Sequence, residues 1–341
     1  MSKLRMNQAI ASALADAMAD DPTVVLFGED IAAAGGPFKT SEGLQARFGS
    51  RVRDTPISEM AFTGAAVGAA MHGLKPVIEI MFMEFLGVAL DQLVTEGALM
   101  RYLSRSAYQV PMVLRASVGS GTGFGCQHSG TQQNWVVGVP GLSVVMPSDS
   151  HTAYGLLRAA IADPDPVVVL EPRMLYGVRG EVDLSTAREI QIGQSRRLRE
   201  GTEVTIVAAG RMVGVALASA EQLAQHGGVS AEVIDLFSLH PWDEAAVLES
   251  VAKTGRLVVV EESSLGTGWS QAVVSRVVEE CFTQLKAPPL RVGAPDVPVP
   301  FTKELEGRYA PTVDEVVLRV RHLITHNALL RPWWAREEIT A

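Results

Sequence analysis

Apolar positions recur along this chain with two alternating periods. Met6, Ile10, Leu14 and Met18 stand four residues apart, the spacing of one buried helix face over about 4–19. Asp21-Pro22 ends that run, and Thr23–Phe27 is a short β-branched and aromatic stretch of the kind that forms a buried strand. Gly28 and the Gly35-Gly36-Pro37 cluster read as loop, and a helix over about 41–48 follows. Strand-like runs at Val77–Phe82, Val110–Arg115, Leu142–Met146 and Val167–Glu171 are separated by helical stretches at about 58–72, 84–102 and 150–162. Strands alternating with helices build a parallel sheet covered on both faces, so the pattern predicts an α/β fold.

The alternation pauses over 172–200, where Pro172, Gly177, Gly180 and Gly193 stand among many charges, and this stretch reads as a linker. It then restarts, with strands at Glu203–Ala208, Ala231–Leu236 and Arg256–Glu261 and helices at about 212–226, 243–253, 267–284 and 313–326. The expected organisation is a first α/β domain over 1–185, a smaller α/β domain over 186–330, and a tail, 331–341, that carries Trp333 and Trp334. There is no internal repeat and no low-complexity segment.

Composition narrows the function classes. A chain of 341 residues with 47% hydrophobic residues has room for two domains and a large core. A net charge of −9 argues against nucleic acid as a partner, and the short basic run Arg196-Arg197-Leu198-Arg199 reads as a solvated strand or turn face. Cys126 and Cys281 form neither a CxxC pair nor a metal-ligand spacing, which fits a reducing cytoplasm. Asp16, Asp20 and Asp21 come early, without the basic-then-apolar order of a signal peptide. The most apolar stretch, Met60–Leu74, contains His72 and is too short to span a bilayer.

Three segments could carry chemistry. In Asp54-Thr55-Pro56-Ile57-Ser58-Glu59, the carboxylate of Glu59 falls in the first turn of a helix. That is the place of a carboxylate complementing the helix dipole. The Gly64-Ala65-Ala66-Val67-Gly68 run behind it also gives the helix a smooth stripe for close approach by another helix or a ligand. Met81-Phe82-Met83-Glu84-Phe85 stands at a strand's carboxyl end, where ligands of α/β sheets gather; its apolar side chains read either as core or as a platform for a flat heterocycle. The glycine-rich loop Gly119–Ser129 holds His128, which can exchange protons near neutral pH or serve as a hydrogen-bonded loop residue. It lacks the spacing of a Walker loop or a dinucleotide fingerprint. The other histidines, Cys126, and the pairs Asp243-Glu244 and Glu261-Glu262 read as structural.

Taken together, these segments resemble the β subunit of the thiamine diphosphate-dependent 2-oxoacid dehydrogenases (the decarboxylating component) and of acetoin dehydrogenase. The resemblance runs over about residues 4–326. It rests on the order and spacing of Gly28-Glu29-Asp30, Phe38–Leu44, Asp54–Gly73, Met81–Phe85, Asp91-Gln92, Gln127-His128-Ser129, Pro140-Gly141-Leu142, Pro166–Glu171, Lys253–Leu257 and Asp296–Pro300. It implies a pyrimidine-binding domain followed by a transketolase-type C-terminal domain. It also implies that Glu59 hydrogen-bonds the aminopyrimidine ring nitrogen, that Phe85 lies against that ring with Met81 and Met83 beside it, and that His128 faces the substrate. Ala160, Ile161, Asp163 and Asp165 match a segment that binds potassium through backbone carbonyls in some relatives.

The family holds the cofactor diphosphate and Mg2+ with a Gly-Asp-Gly motif, which this chain lacks. The resemblance therefore implies a separate α subunit, an α2β2 heterotetramer, and a multienzyme complex in which a dihydrolipoyl acyltransferase core docks on the C-terminal domain. The implied activity is oxidative decarboxylation of a 2-oxoacid, pyruvate first, with a lipoyl acceptor. The alternatives are an acetoin or branched-chain 2-oxoacid dehydrogenase β subunit, a split transketolase-like enzyme, and a catalytically silent scaffold. Thr95, Leu99, Cys126 and Gly130 depart from the family's usual Asn, Lys, Ala and Gln.

Overall fold

The structure, a computed structural model, describes residues 2–336. The chain divides into two compact units, Met1–Gln194 with Ser238–Pro241, and Ser195–Phe237 with Trp242–Ala341.

The first unit is built on a seven-stranded sheet. Its order is Ser238–His240, Ser143–Val145, Val167–Pro172, Val113–Val118, Lys75–Ile80, Val24–Gly28 and Val52–Asp54. Every neighbouring pair is parallel except the first, where 238–240 runs antiparallel to 143–145. The central strands are buried on both faces, as continuous β-branched runs require. Helices Met6–Asp20 and Ser150–Ala162 pack together, and helix Glu59–Met71 packs against strand 75–80 and the segments after it.

Three expectations are corrected here. The first helix begins at Met6, because Ser2–Arg5 pairs antiparallel with Arg179–Val182, a partner far away in sequence. The 172–200 stretch is not a plain linker: it carries that 179–182 strand, a short helix at Leu184–Ala187 and the strand Arg196–Arg199. The helix expected over 84–102 is a succession of a tight turn at Met83–Phe85, an α turn at Leu86–Leu90, a π-helical stretch at Asp91–Ala98 and a last turn at Met100–Leu103. Gly87 and Gly97 weaken regular helix there.

The second unit has a five-stranded sheet in the order Leu290–Ala294, Leu257–Ser264, Val204–Ala208, Ala231–Asp235 and Arg196–Arg199. Only the last strand is antiparallel to its neighbour. The basic run, read as a solvated strand or turn face, is a partly exposed edge strand whose arginines also reach inward. Arg196 reaches the buried Asp235 at 2.8 Å and Arg197 the buried Glu232 at 3.3 Å. Helices Met212–Gly227 and Val313–His326 pack on each other over a Val- and Ala-rich core. The tail folds back on helix 313–326 as far as residue 336. There Arg319 donates to the Leu330 carbonyl at 3.0 Å, and the Trp333 backbone donates to Glu315. Residues 337–341 of the expected tail lie outside the described residues.

Candidate active site

Five neighbouring strands of the first sheet, 167–172, 113–118, 75–80, 24–28 and 52–54, present their carboxyl ends side by side. The segments that leave those ends carry, in that order, Arg173 and Tyr176, the loop with Phe124 and His128, Phe82 and Phe85, Glu29 and Phe38, and Glu59. A parallel sheet gathers such segments on one edge whatever their separation along the chain.

Glu59 opens helix 59–71 after Ser58, whose side chain makes no capping bond. The Glu59 carboxylate is half-buried and has no hydrogen-bond or ion-pair partner among the described residues. Its charge is felt by Glu29, which is 9% exposed and whose Oε1 is buried without a hydrogen-bond partner. Burial pushes the Glu29 carboxyl above its ordinary range, and the nearby charges of Glu59 and Asp30 add to this. Beside Glu59, Ile57 is 84% exposed and Met60 54%, a large apolar surface at the head of the helix. Of the two stripe glycines, Gly64 meets a neighbour: a Cβ there would stand 2.7 Å from Oε1 of Gln92, whereas Gly68 has nothing within 4 Å.

The Met81–Phe85 platform takes form around His128. The His128 ring lies edge-on to Phe82 at 4.8 Å and to Phe85 at 5.4 Å, and Phe82 and Phe85 meet edge-on at 5.8 Å. Phe38 stacks on Tyr176 at 5.2 Å and meets Phe82 edge-on. Met81 is half-buried and its carbonyl accepts from Ser117 Oγ at 2.6 Å. Met83 is fully buried in the core. The loop carrying His128 turns on Gly119, Gly121, Gly123 and Gly125, all at positive φ. It is closed by the Gly119 N–H on the Gly130 carbonyl at 3.1 Å and by the Gly130 N–H on the Glu84 carboxylate.

Behind these rings is a charge cluster that pattern reading did not single out. Arg115 is completely buried; it donates to Glu171 at 2.7 and 2.9 Å and to Glu79 at 2.7 Å. Tyr176 donates to Glu171 at 2.7 Å, and Thr40 to Glu79 at 3.0 Å. Burial works against the Arg115 charge, but the two carboxylates outweigh it and hold the guanidinium ionised. Burial lifts the Glu171 carboxyl despite Arg115, and lifts the Tyr176 hydroxyl well above its usual range with help from the Glu171 charge. The signal was present in the sequence: Glu79, Arg115 and Glu171 interrupt apolar strand runs, where a charge persists only when paired.

The 160–165 segment ends helix 150–162. Ala160 and Ile161 are buried. The Ala160 carbonyl accepts the Asp163 N–H at 3.3 Å, the Asp163 carboxylate accepts the Asp165 N–H at 2.9 Å, and Asp165 pairs with Arg101 at 2.5 Å. Burial raises the Asp163 carboxyl. Among the described residues no group of three or more His, Cys, Asp or Glu could hold a metal ion. Asp243 caps helix 244–254, Glu262 pairs with Arg211, and Glu261 with Ser270 and Arg291, so those carboxylate pairs are structural. Thr95 is exposed, Leu99 half-buried, Cys126 exposed and Cys281 buried.

Comparison with known proteins bears on this arrangement. Residues 2–179 match the model of the transketolase pyrimidine binding domain, and 193–316 that of the transketolase C-terminal domain. The rice pyruvate dehydrogenase E1 component subunit beta-2, mitochondrial, is 43% identical over 92% of this chain and 85% of its own length. The beta subunit of acetoin:2,6-dichlorophenolindophenol oxidoreductase from Cupriavidus necator is 40% identical over 94% of this chain and 97% of its own. This chain belongs to the family of pyruvate dehydrogenase E1 and acetoin dehydrogenase β subunits. The fold agrees: a split-gene transketolase solved as an inactive beta4 tetramer superposes with a TM-score of 0.76 at 26% identity, over 94% of this chain and 98% of that one. Among the described residues of this β-subunit homologue, no helix is long and apolar enough to cross a membrane.

Proposed function

We propose that this chain is the β subunit of a 2-oxoacid dehydrogenase, with pyruvate as substrate, acting with an α subunit in an α2β2 heterotetramer. The observation that carries the reading is Glu59: a carboxylate with no hydrogen-bond or ion-pair partner among the described residues, its charge felt by the buried Glu29, at the same sheet edge from which the Phe82, Phe85 and His128 rings leave. These features fit the pyrimidine half of thiamine diphosphate. When bound, that cofactor supplies the electron sink that decarboxylation of a 2-oxoacid needs. Glu59 would hold the ring nitrogen through a charge-assisted hydrogen bond at its carboxylate oxygen. Phe85 would offer the pyrimidine a flat surface, with Met81 at its edge and Met83 supporting it from the core. His128 would hold or move a proton on its imidazole nitrogen, facing the substrate and the incoming lipoyl group.

Pyrimidine binding belongs, on this reading, to residues 1–185, and docking of a dihydrolipoyl acyltransferase core to 186–330. The diphosphate and Mg2+ fall to the α subunit, because no Gly-Asp-Gly is present here. The carbonyls of Ala160, Ile161, Asp163 and Asp165 are the candidates for potassium. Free Cys126 and Cys281 suit a reducing compartment, the cytoplasm. Pyruvate is preferred over acetoin and branched-chain 2-oxoacids on the likeness of Ser58–Phe62 and Met81–Phe85 to the pyruvate members.

The test is reconstitution with the α subunit and assay of pyruvate, acetoin and branched-chain 2-oxoacids with lipoamide as acceptor. Glu59→Gln is expected to assemble normally and lose about 100-fold or more in turnover, the scale of a lost proton-transfer group. Near-parental turnover would remove Glu59 from its role. Ketol transfer between sugars without lipoamide would instead favour the split-transketolase alternative, and an assembled but inactive parent would favour the scaffold.

A further inference from the structure

The chemistry proposed for Glu59 and His128 makes no use of Arg173, yet Arg173 is 5% exposed at the centre of the site. It follows strand 167–172 directly, so its backbone is set by the sheet. Its Nη1 donates to the His128 carbonyl at 2.5 Å and lies 3.3 Å from Thr122 Oγ1. Its guanidinium carbon stands 4.8 Å from the Phe82 ring centre, 5.2 Å from Phe124 and 6.0 Å from Phe38. Thr122, Phe124 and His128 all belong to the 119–130 loop, whereas Phe82 and Phe38 leave the ends of two other strands.

That loop has four glycines at positive φ, so its own backbone does little to select one conformation. Clamps from the sheet help to order it. Glu84 is one, gripping the Gly130 end. Arg173 is another, gripping the backbone of His128 itself. A planar, permanently charged fork can bond a carbonyl and a hydroxyl while its faces rest on aromatic rings; an ammonium group is a point charge and cannot do all of this at once.

We propose that Arg173 is the positioning residue of the 119–130 loop, fixing His128 against Phe82 and Phe85. This rests on the role assigned to His128 above. Arg173 acts through His128 and touches no reacting atom. The consequence is a split in kinetics: loss of Arg173 lowers the rate of the step that His128 serves and leaves the KM for the 2-oxoacid nearly unchanged.

The experiment uses the full chain assembled with its α subunit, with hydrogen–deuterium exchange read peptide by peptide and turnover measured with pyruvate and lipoamide. In Arg173→Met, the amides of 119–130 are expected to exchange about tenfold faster or more, the scale of one lost charge-assisted hydrogen bond. The lipoamide-dependent kcat is expected to fall about tenfold or more, with KM within about threefold. Arg173→Lys should recover part of the kcat and part of the protection. Phe124→Leu removes one face of the clamp at a residue 45% exposed, so it can fold where Arg173→Met does not, and should show the same loop-confined rise on a smaller scale. Parental loop exchange in both Arg173→Met and Phe124→Leu would overturn the proposal, as would faster exchange with an unchanged lipoamide-dependent kcat. His128→Ala separates the two ideas. A parental rate in that variant sinks the role of His128, whereas a slowed rate there beside a parental Arg173→Met sinks the role of Arg173.

Discussion

Replacing Arg115 by methionine keeps most of the side-chain volume and removes the one cation in the buried cluster. Glu171 would lose two hydrogen bonds, at 2.7 and 2.9 Å, and Glu79 one, at 2.7 Å. Both carboxylates would stay out of water with only Tyr176 and Thr40 as donors. Removing one partner of a buried ion pair costs about 3–5 kcal/mol, because the other charge is left uncompensated. Set against the 5–15 kcal/mol that holds a typical domain together, this is a large fraction.

Two units need not unfold as one transition, so the readout should be local. Amide exchange in strands 75–80, 113–118 and 167–172 is expected to accelerate about a thousandfold, which is about 4 kcal/mol, while strand 204–208 of the second unit keeps its parental rate. The effect carries a pH signature. Burial already raises the Glu171 carboxyl in the parent, and without Arg115 it rises further. A carboxyl raised in the folded state stabilises the fold fully below its unfolded value, about 4.3, and loses that contribution as pH climbs through the folded value. The deficit of Arg115→Met against the parent should therefore be small near pH 4 and widen towards pH 7. A deficit under about 1 kcal/mol at pH 7, or one that does not change with pH, would refute the account of Arg115 as the charge that makes this cluster tolerable.

Other expectations can be checked separately. Glu29 is raised by burial and by Glu59, so its ionised form opposes folding at neutral pH; Glu29→Gln should raise the thermal midpoint at pH 7, with the gain vanishing below about pH 4. Gly141 lies at φ +87°, and a Cβ there would meet the Ala98 carbonyl oxygen at 2.3 Å; Gly141→Ala should cost at least about 2 kcal/mol in denaturant unfolding, while Gly138→Ala, with open space around it, should be near neutral. The chain alone should bind thiamine diphosphate and Mg2+ weakly by calorimetry and tightly once the α subunit is added; tight binding by the isolated chain would contradict the shared site.

The β-subunit family was legible in the order and spacing of motifs along most of the chain, and the helix of Glu59 and the loop of His128 in signals that are local. Helix 59–71 announces itself through Pro56 and Ser58, and the His128 loop through its glycines after a strand with an apolar run; the short strand 52–54 before the helix, Val-Arg-Asp, carries no such run. The elements that escaped reading depend on partners far along the chain. The Ser2–Arg5 strand exists because 179–182 pairs with it, and 238–240 because it adds to the edge at 143–145. Neither segment carries a periodic pattern of its own.

By itself, the sequence determined the order of the main strands and helices, the α/β class and the residues able to do chemistry, since backbone propensity and hydrophobic period act over a few neighbouring positions. Only the tertiary structure decided which of those residues meet. Sheet register sets Glu79 beside Arg115 and carries Glu171 to the same face, turning three isolated charges into one cluster. The same register brings Arg173 under a loop more than forty residues earlier, within 2.5 Å of the His128 carbonyl. Such meetings depend on strand order and register, which follow from the packing of the whole sheet and leave no mark on any single stretch of chain.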